Sequence, residues 1–428
     1  MSLPSAPRIE RDFALLFLVM LVLGAGNTAL QSVMPAIGRS LKIPDSIIAL
    51  AFSVSALVWV IAAPLWARKS DRTGRRRMVL TGLAGFSVSV LLCGLFLTAG
   101  IHGLIGPLTT IVAFIVARVI YGCFGAAAPP AAQAILASRT TRAERTKALT
   151  LLSSAFGLGT ILGPALAPFF VLPGVGLAGP AYFFALAGFA VLAATWALLP
   201  NDTPGATARG AATSYPSIGG NLTGASVTAA MSEPSSSVLK LTDPRIWPWM
   251  VVGLVMGHAQ AMVGQAMAFL VIDRLGVPPL EAQQAIGLVL MTGAGAALLV
   301  QWGVIPLLNM KPRALVITGL ALGAAGCALI SVATSLYGMA TAFGLASAGF
   351  GFARPGYTAG SSLAVGAELQ GAVAGRVTSI NGASFVLGPS IGIGLYELWR
   401  PLPYLAAAAM SLLLLLYAVA NLSRTAKV

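Results

Sequence analysis

The sequence predicts an all-α integral membrane protein in which twelve transmembrane helices form two pseudo-symmetric six-helix bundles. Hydrophobic residues make up 57% of the chain and charged residues only 9%, whereas soluble proteins carry about 25% charged residues. Apolar runs of about 20 residues recur, which suits helices crossing a bilayer core and not the shorter, alternating strands of a membrane barrel. Gly163-Pro164 and Gly388-Pro389 are 225 positions apart, as are Pro130 and Pro355. This spacing indicates two related halves with a site between them.

The apolar runs define the individual helices and the division of the chain. The predicted helices lie at 13–36, 46–67, 78–99, 108–135, 148–172, 179–199, 246–273, 280–306, 314–335, 337–364, 377–397 and 402–422. Between the sixth and the seventh lies a stretch rich in Gly, Ser, Thr, Ala and Pro, which buries too little apolar area to offset its ordering entropy. The sequence therefore predicts an N-terminal bundle over 1–199, a flexible cytoplasmic linker over 200–245 and a C-terminal bundle over 246–428.

The net charge of +14 is unevenly distributed along the chain. Most Lys and Arg residues fall in segments that are inside if both termini are cytoplasmic. The exceptions are four residues in outside loops and two within helices: Arg39, Lys42, Arg274 and Arg400, and Arg118 and Arg354. Basic residues concentrated inside orient membrane helices, so the charge predicts a lipid bilayer as partner and no nucleic acid. The first apolar run lacks a small-residue cleavage site and is predicted to be a spanning helix.

A basic loop with a single acid follows helix two, in the run Ala67-Arg-Lys-Ser-Asp71-Arg72-Thr-Gly74-Arg75-Arg76-Arg77. A tight turn at Gly74 would expose Asp71, Arg72 and Arg75 at the inner membrane face. Acids contribute little to topology, and an acid near a helix N-terminus gains about 0.3–1 kcal/mol. We therefore predict that this loop is a conformational latch, with Asp71 held against the start of helix eleven near 376–378. The alternative, that these arginines only set topology, is favoured for Arg76 and Arg77.

Two arginines lie within predicted helices. A charge at membrane depth costs about 2.5–3.5 kcal/mol on insertion scales, so it normally faces a partner or a water-filled cavity. Arg118 lies in helix four, and Arg354 lies in helix ten beside Pro355, where a proline frees backbone groups around a cavity. For both arginines the alternative is a structural role, such as binding backbone carbonyls.

The Gly-Pro breaks predict close helix contacts. Gly159 and Gly163 are four residues apart on one face of helix five, where another helix can approach closely, and Pro164 adds a kink. We expect this contact to seal the interface between the two halves. The second copy, at Gly388-Pro389, has a serine at position 384 in place of the first glycine.

Three motifs carry a family resemblance: the loop at 67–77, Arg118-Val-Ile-Tyr121-Gly122-Cys-Phe-Gly125, and Gly159-Thr-Ile-Leu-Gly163-Pro164-Ala-Leu-Ala167. At these places they resemble the major facilitator superfamily, and the third looks like its antiporter motif. The second half resembles the twelve-helix, tetracycline-efflux-like branch of drug:proton antiporters, in Ile272-Asp273-Arg274-Leu275-Gly276 and Leu369-Gln370-Gly371. The resemblance implies the major facilitator fold, export against protons and a role of Arg118 in proton coupling. Ala67 departs from the family's usual glycine.

Polar and aromatic residues on several helices predict a substrate cavity, although each alone suits contacts between helices equally well. The predicted lining residues are Asn27, Gln31, Tyr121, Met262, Gln265, Arg354, Tyr357 and Asn381. The relatives usually carry an acid in helix one, where this chain offers Asn27, which cannot titrate. Asp273 is therefore the first candidate for proton coupling, and His258, with an unperturbed pKa near about 6.5, is the second. Without a central carboxylate, a neutral or weakly anionic amphipath fits better than a cationic drug.

The leading functional hypothesis is a secondary active transporter in a bacterial inner membrane, exporting small amphipathic compounds in exchange for protons by alternating access. A monomer is expected. The alternative is an organic-anion uniporter or proton symporter of the same fold. No His-Glu-x-x-His or Gly-x-Ser-x-Gly pattern is present, so no enzyme is predicted. The three cysteines have no paired spacing, and no metal or cofactor is expected.

Overall fold

The computed structural model describes residues 6–201, 211, 213–218, 227, 239–366 and 369–422. Within these ranges twelve long helices confirm the predicted two-bundle fold, with α1–α6 in one bundle and α7–α12 in the other. The N-terminal helices are α1 Ala6–Ser40, α2 Asp45–Thr73, α3 Arg75–Ile101, α4 Pro107–Arg139, α5 Arg142–Leu166 and α6 Gly179–Leu198. The C-terminal helices are α7 Trp247–Leu275, α8 Pro279–Leu308, α9 Pro312–Val332, α10 Leu336–Leu363, α11 Gln370–Leu398 and α12 Leu402–Asn421.

Eleven of these helices are long and apolar enough to span a membrane. The twelfth, α11, has 29 residues and is more polar because Thr378, Ser379, Asn381 and Ser384 interrupt its apolar residues. The chain is thus an integral membrane protein. Following the predicted topology, we call the end that carries Arg39 the outer end and the opposite end the inner end.

Glycines bring helices of the same bundle into backbone contact. A Cβ on Gly163 would lie 2.2 Å from the Ala25 carbonyl oxygen of α1, and one on Gly159 would lie 2.3 Å from that of Leu21. In the second half, a Cβ on Gly388 would lie 2.6 Å from Ala261 of α7. These residues therefore join α5 to α1 and α11 to α7, which differs from the expected contact between the two halves.

Contact between the halves begins just beyond each of these glycines. Pro164 and Pro168 lie next to Gly287 of α8, where a Cβ would be 2.9 Å from the ring of Pro168. The Gly-Pro break thus packs α5 on α1 through its glycines, while its proline side faces the other bundle. Because both halves use the same arrangement on their first and fifth helices, the sequence repeat corresponds to a structural one.

The two bundles are closed against each other at the outer end. Helix α2 runs antiparallel to α11, and the Ser53 and Ser390 hydroxyls lie 2.8 Å apart. Nearer the inner end, a Cβ on Gly382 would lie 2.9 Å from Val60. Beyond this point α2 and α11 border a cleft of about 270 Å³, which reaches Pro64 on one side and Gly375 on the other. The conformation is therefore closed outside and parted inside.

The central segment differs from the predicted linker. Residues 213–218 lie between the bundles, with Thr213, Tyr215 and Ser217 buried, whereas a solvated cytoplasmic tether was expected over all of 200–245. Composition does not predict this burial, because the segment does not form a core of its own. It lies in a groove whose polar groups and aromatic rings come from the helices. Of the rest of 200–245, the structure describes residues 200, 201, 211, 227 and 239–245.

Candidate functional site

The centre of the candidate site is Arg118, which is fully buried in the middle of α4. One turn later the helix widens into a π-helical turn at Tyr121–Gly125, a distortion that often marks functional sites. The hydroxyl of Ser55 donates to the Arg118 carbonyl oxygen at 2.8 Å. Gly122 permits this approach, since a Cβ there would lie 2.4 Å from the Ser55 carbonyl oxygen. The backbone around Arg118 is thus fixed by α2.

Aromatic rings surround the Arg118 guanidinium. Its central carbon lies 4.6 Å from the ring centroid of Tyr121 and 5.3 Å from that of Phe52. Trp59 lies 5.3 Å from Tyr121, ring centroid to centroid. Cation–π contacts of this kind contribute about 0.5–2 kcal/mol, at the upper end when desolvated. They stabilise the charge without supplying a counter-ion.

The hydrogen bonds of Arg118 leave part of the guanidinium unused. Nη2 donates to the Asn27 Oδ1 atom and to the Tyr215 hydroxyl. Among the residues that the structure describes, the buried Nε and Nη1 atoms have no hydrogen-bond partner, and none of the ion pairs includes Arg118. The site therefore holds a buried positive charge with spare donors.

The predicted cavity residues of α1 bind the central segment. The Asn27 Nδ2 atom donates to the Pro216 carbonyl oxygen, and the Gln31 Oε1 atom accepts the Ile218 amide at 3.0 Å. Both side chains are buried. The prediction that α1 lines the site stays a prediction for substrate, but the structure brings Asn27, Gln31, Arg118 and Tyr121 together.

The second arginine lies on the C-terminal side. Arg354 of α10 is buried, its Nη2 donates to the Gln260 Oε1 atom of α7, and it lies 5.7 Å from the ring of Phe385. Tyr357, one turn later, donates its hydroxyl to the Val377 carbonyl oxygen of α11 at 3.2 Å. Asn381 is also buried, on α11. These residues join α7, α10 and α11.

Three further predicted residues lie along α7. Met262 and Gln265 are buried, and the neighbouring Gly264 lies against the central segment, where a Cβ would be 3.0 Å from the Ile218 carbonyl oxygen. His258 is half-buried, and its Nδ1 atom lies 2.8 Å from the Leu254 carbonyl oxygen of its own helix. His258 and Asp273 are fifteen positions apart on α7, about 22 Å at 1.5 Å per residue.

Asp273 belongs to an outer ion cluster, which we define as Arg39, Asp45, Asp273, Tyr396 and Arg400. The Asp273 carboxylate lies 3.1 Å from Arg39 and 3.2 Å from Arg400, and it accepts the Tyr396 hydroxyl at 2.7 Å. Arg39 also pairs with Asp45 at 2.6 Å. The cluster joins α1 and α2 to α7 and α11, so it closes the outer end.

The candidates for proton coupling, Arg118 and Asp273, lie far apart in the structure. Asn27, which contacts Arg118, and Arg39, which contacts Asp273, are twelve positions apart on α1, a separation of about 18 Å. The structure places Arg118 in the central site and Asp273 in the outer ion cluster. A direct proton transfer between them is excluded in this conformation.

The predicted latch is described only in part. The side chains of Asp71 and Arg72 lie outside the described residues. Gly74 has φ 96°, a value that favours glycine, so the predicted tight turn is present. Arg75 was predicted to be exposed, but it is buried in the N-terminal bundle because its guanidinium turns inward, where Nη1 lies 3.4 Å from the Ala134 carbonyl oxygen. Arg376, near the expected docking point, donates to the Leu239 carbonyl oxygen at 2.8 Å.

Sequence reasoning missed four residues of the site: Trp59, Gln133, Tyr215 and Gln260. A signal existed for two of them. Tryptophan in a spanning helix usually lies near the membrane interfaces, so Trp59 in mid-helix was unusual, and Gln133 is a polar residue within an apolar run. Within the described ranges no group of three His, Cys, Asp or Glu residues is placed to hold a metal ion.

Outside the membrane-spanning segments, one pKa shift is relevant to the central segment. Hydrogen bonds from Arg245 lower the pKa of Asp243 to about 2. Asp243 therefore stays charged at the turn that leads into α7.

The chain is similar in sequence to known membrane transporters. A sequence profile of the Major Facilitator Superfamily matches residues 16–389. Multidrug resistance protein 2 of Bacillus subtilis (strain 168) is 33% identical over 163 residues, which are 38% of this chain and 37% of that protein. The Staphyloferrin B transporter of Staphylococcus aureus is 27% identical over 158 residues, 36% of this chain and 35% of that protein. The chain thus matches little more than a third of these relatives' length.

Two solved structures share the fold over nearly the whole chain. The human organic anion transporter MFSD10 (TETRAN) has a TM-score of 0.65 at 19% identity and covers 97% of this chain and 100% of its own. A bacterial homolog of the human lysosomal transporter Spinster has a TM-score of 0.69 at 14% identity, covering 98% and 96%. At these identities the likeness concerns the fold alone.

Proposed function

As the chain belongs to the major facilitator superfamily, we propose that it exports small amphipathic compounds in exchange for protons by alternating access. Members of this superfamily are membrane transporters and not enzymes, and the same holds for this chain. We also propose that the protein lies in a bacterial inner membrane, that both termini are cytoplasmic and that it acts as a monomer.

The observation that carries the proposal is the buried guanidinium of Arg118. It lies between aromatic rings, has no ion pair among the described residues and keeps two unused donor atoms. A cationic drug would bring a second positive charge into this low-dielectric site, which is unfavourable. An aromatic compound with a neutral or weakly acidic oxygen gains both ring contacts and hydrogen bonds. The site thus favours amphipaths of this kind.

Alternating access is supported by the two ends of the molecule. The outer ion cluster closes one end, while the cleft of about 270 Å³ parts α2 and α11 at the other. The inner side is therefore the side from which a compound can approach the central site, as an exporter requires. The names of the bacterial relatives, two of them multidrug resistance proteins of Bacillus subtilis, agree with this direction.

Proton exchange is supported by the acids of the outer ion cluster. The Asp273 carboxylate attracts Arg39 and Arg400, so neutralising this charge makes the outer end easier to open. We therefore assign Asp273 to the control of the outer end. His258 stays the second candidate for carrying a proton, with Arg118 as the charged group at the substrate.

Transport assays test the proposal directly. Cells that express the protein are expected to accumulate less of a neutral amphipathic dye such as Nile red than control cells, and a protonophore should abolish this difference. Arg118→Ala should abolish export while the protein still reaches the membrane. Arg77→Ala, which changes an exposed charge at the inner end, serves as the matched control and should stay active. Export that persists without a proton gradient would remove proton exchange from the proposal.

A second candidate function is an organic-anion uniporter or proton symporter. The absence of an ion pair at Arg118 among the described residues favours it, since an anion would supply the counter-charge. Counterflow of a labelled aromatic carboxylate in proteoliposomes without a pH gradient separates the two. Rapid counterflow supports uniport. When a pH gradient is then imposed, uptake driven by an acidic interior supports antiport, and uptake driven by an acidic exterior supports symport.

A further inference from the structure

A short segment of the chain lies inside the cleft between the bundles. Residues 213–218 follow the N-terminal bundle in sequence, yet Thr213 is 3%, Tyr215 2% and Ser217 5% exposed. On one side they contact α1, α2 and α4, and on the other Ile218 lies against Gly264 of α7. The segment thus fills the space through which a compound from the inner side would reach Arg118.

Side chains of the N-terminal bundle bind the backbone of this segment. The Trp59 Nε1 atom donates to the Thr213 carbonyl oxygen at 2.8 Å, and the Gln31 Oε1 atom accepts the Ile218 amide at 3.0 Å. Within the segment, the Asn27 side-chain amide donates to the carbonyl oxygen of residue 216, and two residues before the segment the Gln133 Oε1 atom accepts the amide of residue 211 at 3.2 Å. Buried backbone groups require such partners, so the groove is complementary to an extended chain.

The side chain of Tyr215 lies at the centre of the site. Its ring is 5.7 Å from Trp59 in an edge-on arrangement and 5.9 Å from Tyr121. Its hydroxyl accepts a hydrogen bond from Arg118 and donates one to the Asn27 Oδ1 atom at 3.1 Å. Tyr215 therefore places a phenol in the ring-lined space beside the buried guanidinium.

This phenol satisfies Arg118 incompletely. A guanidinium has five N–H donors, and the Nε and Nη1 atoms of Arg118 have no hydrogen-bond partner within the described part of the chain. A ligand with a more acidic phenol, or with a second oxygen beside it, would use more of these donors than Tyr215 does. Such a ligand can therefore compete with the segment for the same space.

We propose that residues 213–218 are an internal plug that occupies the substrate site, and that Tyr215 marks the position of a phenolic ring in the transported compound. This inference rests on the proposed function, because it assigns the substrate class and its regulation to the same site. The plug keeps the cleft filled when no compound is bound, and a phenolic substrate must displace it before the bundles can rearrange.

Ligand binding to the purified full-length protein tests the plug. The probe is 4-methylumbelliferone, a fluorescent phenol, and its 7-methyl ether is the comparison compound without the hydroxyl. Tyr215→Ala should bind the phenol about tenfold more tightly than the wild type, equal to about 1.4 kcal/mol, because the competing group is gone. Tyr215→Phe, which removes only the hydroxyl, should show a smaller gain in the same direction. Tyr337→Ala, at an exposed tyrosine of α10, should bind as the wild type does.

The hydroxyl contact is tested by comparing the two compounds. The preference for the phenol over its ether should be present in Tyr215→Ala and lost in Arg118→Gln. Equal affinity of the wild type, Tyr215→Ala and Tyr215→Phe for the phenol, with all three proteins folded by thermal unfolding, would overturn the plug. A preference for the ether in Tyr215→Ala would overturn the phenolic assignment.

Failure of this inference can be told from failure of the proposed function. Tighter phenol binding in Tyr215→Ala without any export in cells would support the plug and reject the exporter. Export by cells with phenol affinities that do not depend on Tyr215 would reject the plug and leave the exporter intact.

Discussion

Replacing Asp273 by asparagine is expected to weaken the closure of the outer end. The Asp273 carboxylate accepts the Tyr396 hydroxyl at 2.7 Å and lies 3.1 Å from Arg39 and 3.2 Å from Arg400. Asparagine has nearly the same shape and can still accept the Tyr396 hydroxyl. The substitution therefore removes mainly the charge that holds the two bundles together at this end.

The free energy of closure lost in Asp273→Asn depends on how exposed Asp273 and its two arginine partners are. The Arg400 side chain is 58% exposed and that of Arg39 32%, while the Asp273 side chain is 8% exposed. Exposed ion pairs contribute about 0–1 kcal/mol each, and a hydrogen bond to a charged group contributes about 1.5–3 kcal/mol, of which a neutral acceptor retains part. We expect a total loss of about 2 kcal/mol, which shifts the equilibrium between closed and open outer ends about 30-fold.

The measurement is the distance between spin labels on the two bundles at the outer end. Labels on Lys42→Cys and Leu280→Cys, at exposed positions, report the separation after the three native cysteines have been replaced by alanine. In Asp273→Asn the long-distance population should grow strongly relative to the unsubstituted protein. Asp243→Asn, which removes a partly exposed charge paired with Arg245 at 2.9 Å, is the control and should leave the distances unchanged. The same distance distribution in Asp273→Asn and in the control would refute the assignment of Asp273 to outer closure.

The remaining predictions concern helix contacts and a buried pair. Gly163→Val should lower the unfolding temperature strongly, since its Cβ would lie 2.2 Å from α1 backbone, whereas Gly157→Ala, with nothing within 4 Å, should unfold as the wild type does. Arg139→Gln should reduce the free energy of unfolding by about 2 kcal/mol, since it removes the charged partner of the buried Asp12 carboxylate and leaves it only the more exposed Arg11, at 3.5 Å; stability equal to that of the wild type in denaturant titration would contradict this.

The fold was predictable because it follows from composition and from a repeat. The apolar runs determined all twelve helices, and the Gly-Pro spacing identified the equivalent helices α5 and α11. Helix ends were less accurate: α1 begins at Ala6 and not at residue 13, because helix formation continues through Glu10, Arg11 and Asp12 beyond the apolar run. Hydropathy indicates which part of a helix lies in lipid, whereas the helix itself extends as far as its backbone hydrogen bonds continue.

Sequence predicted the part of the central site that the helices contribute, but not the part contributed by the central segment. Asn27, Gln31, Arg118 and Tyr121 stand out as polar or aromatic residues in spanning helices, and the structure brings them together. Their partner, Tyr215, lies in a stretch whose composition is typical of a solvated linker. Composition measures whether a segment can bury its own apolar area, and it contains no information on a groove formed elsewhere in the chain.

The two halves repeat one motif but use it differently. Arg118 and Tyr121 on α4 have the same spacing as Arg354 and Tyr357 on α10, and both arginines are buried. Arg354 donates to Gln260, a residue of its own bundle, which no substrate needs to displace. Arg118 donates to the Tyr215 hydroxyl, on a segment that belongs to neither bundle. Because the Tyr215 contact of Arg118 can be exchanged while the Gln260 contact of Arg354 lies within one bundle, selectivity for the transported compound should be determined mainly by the N-terminal half.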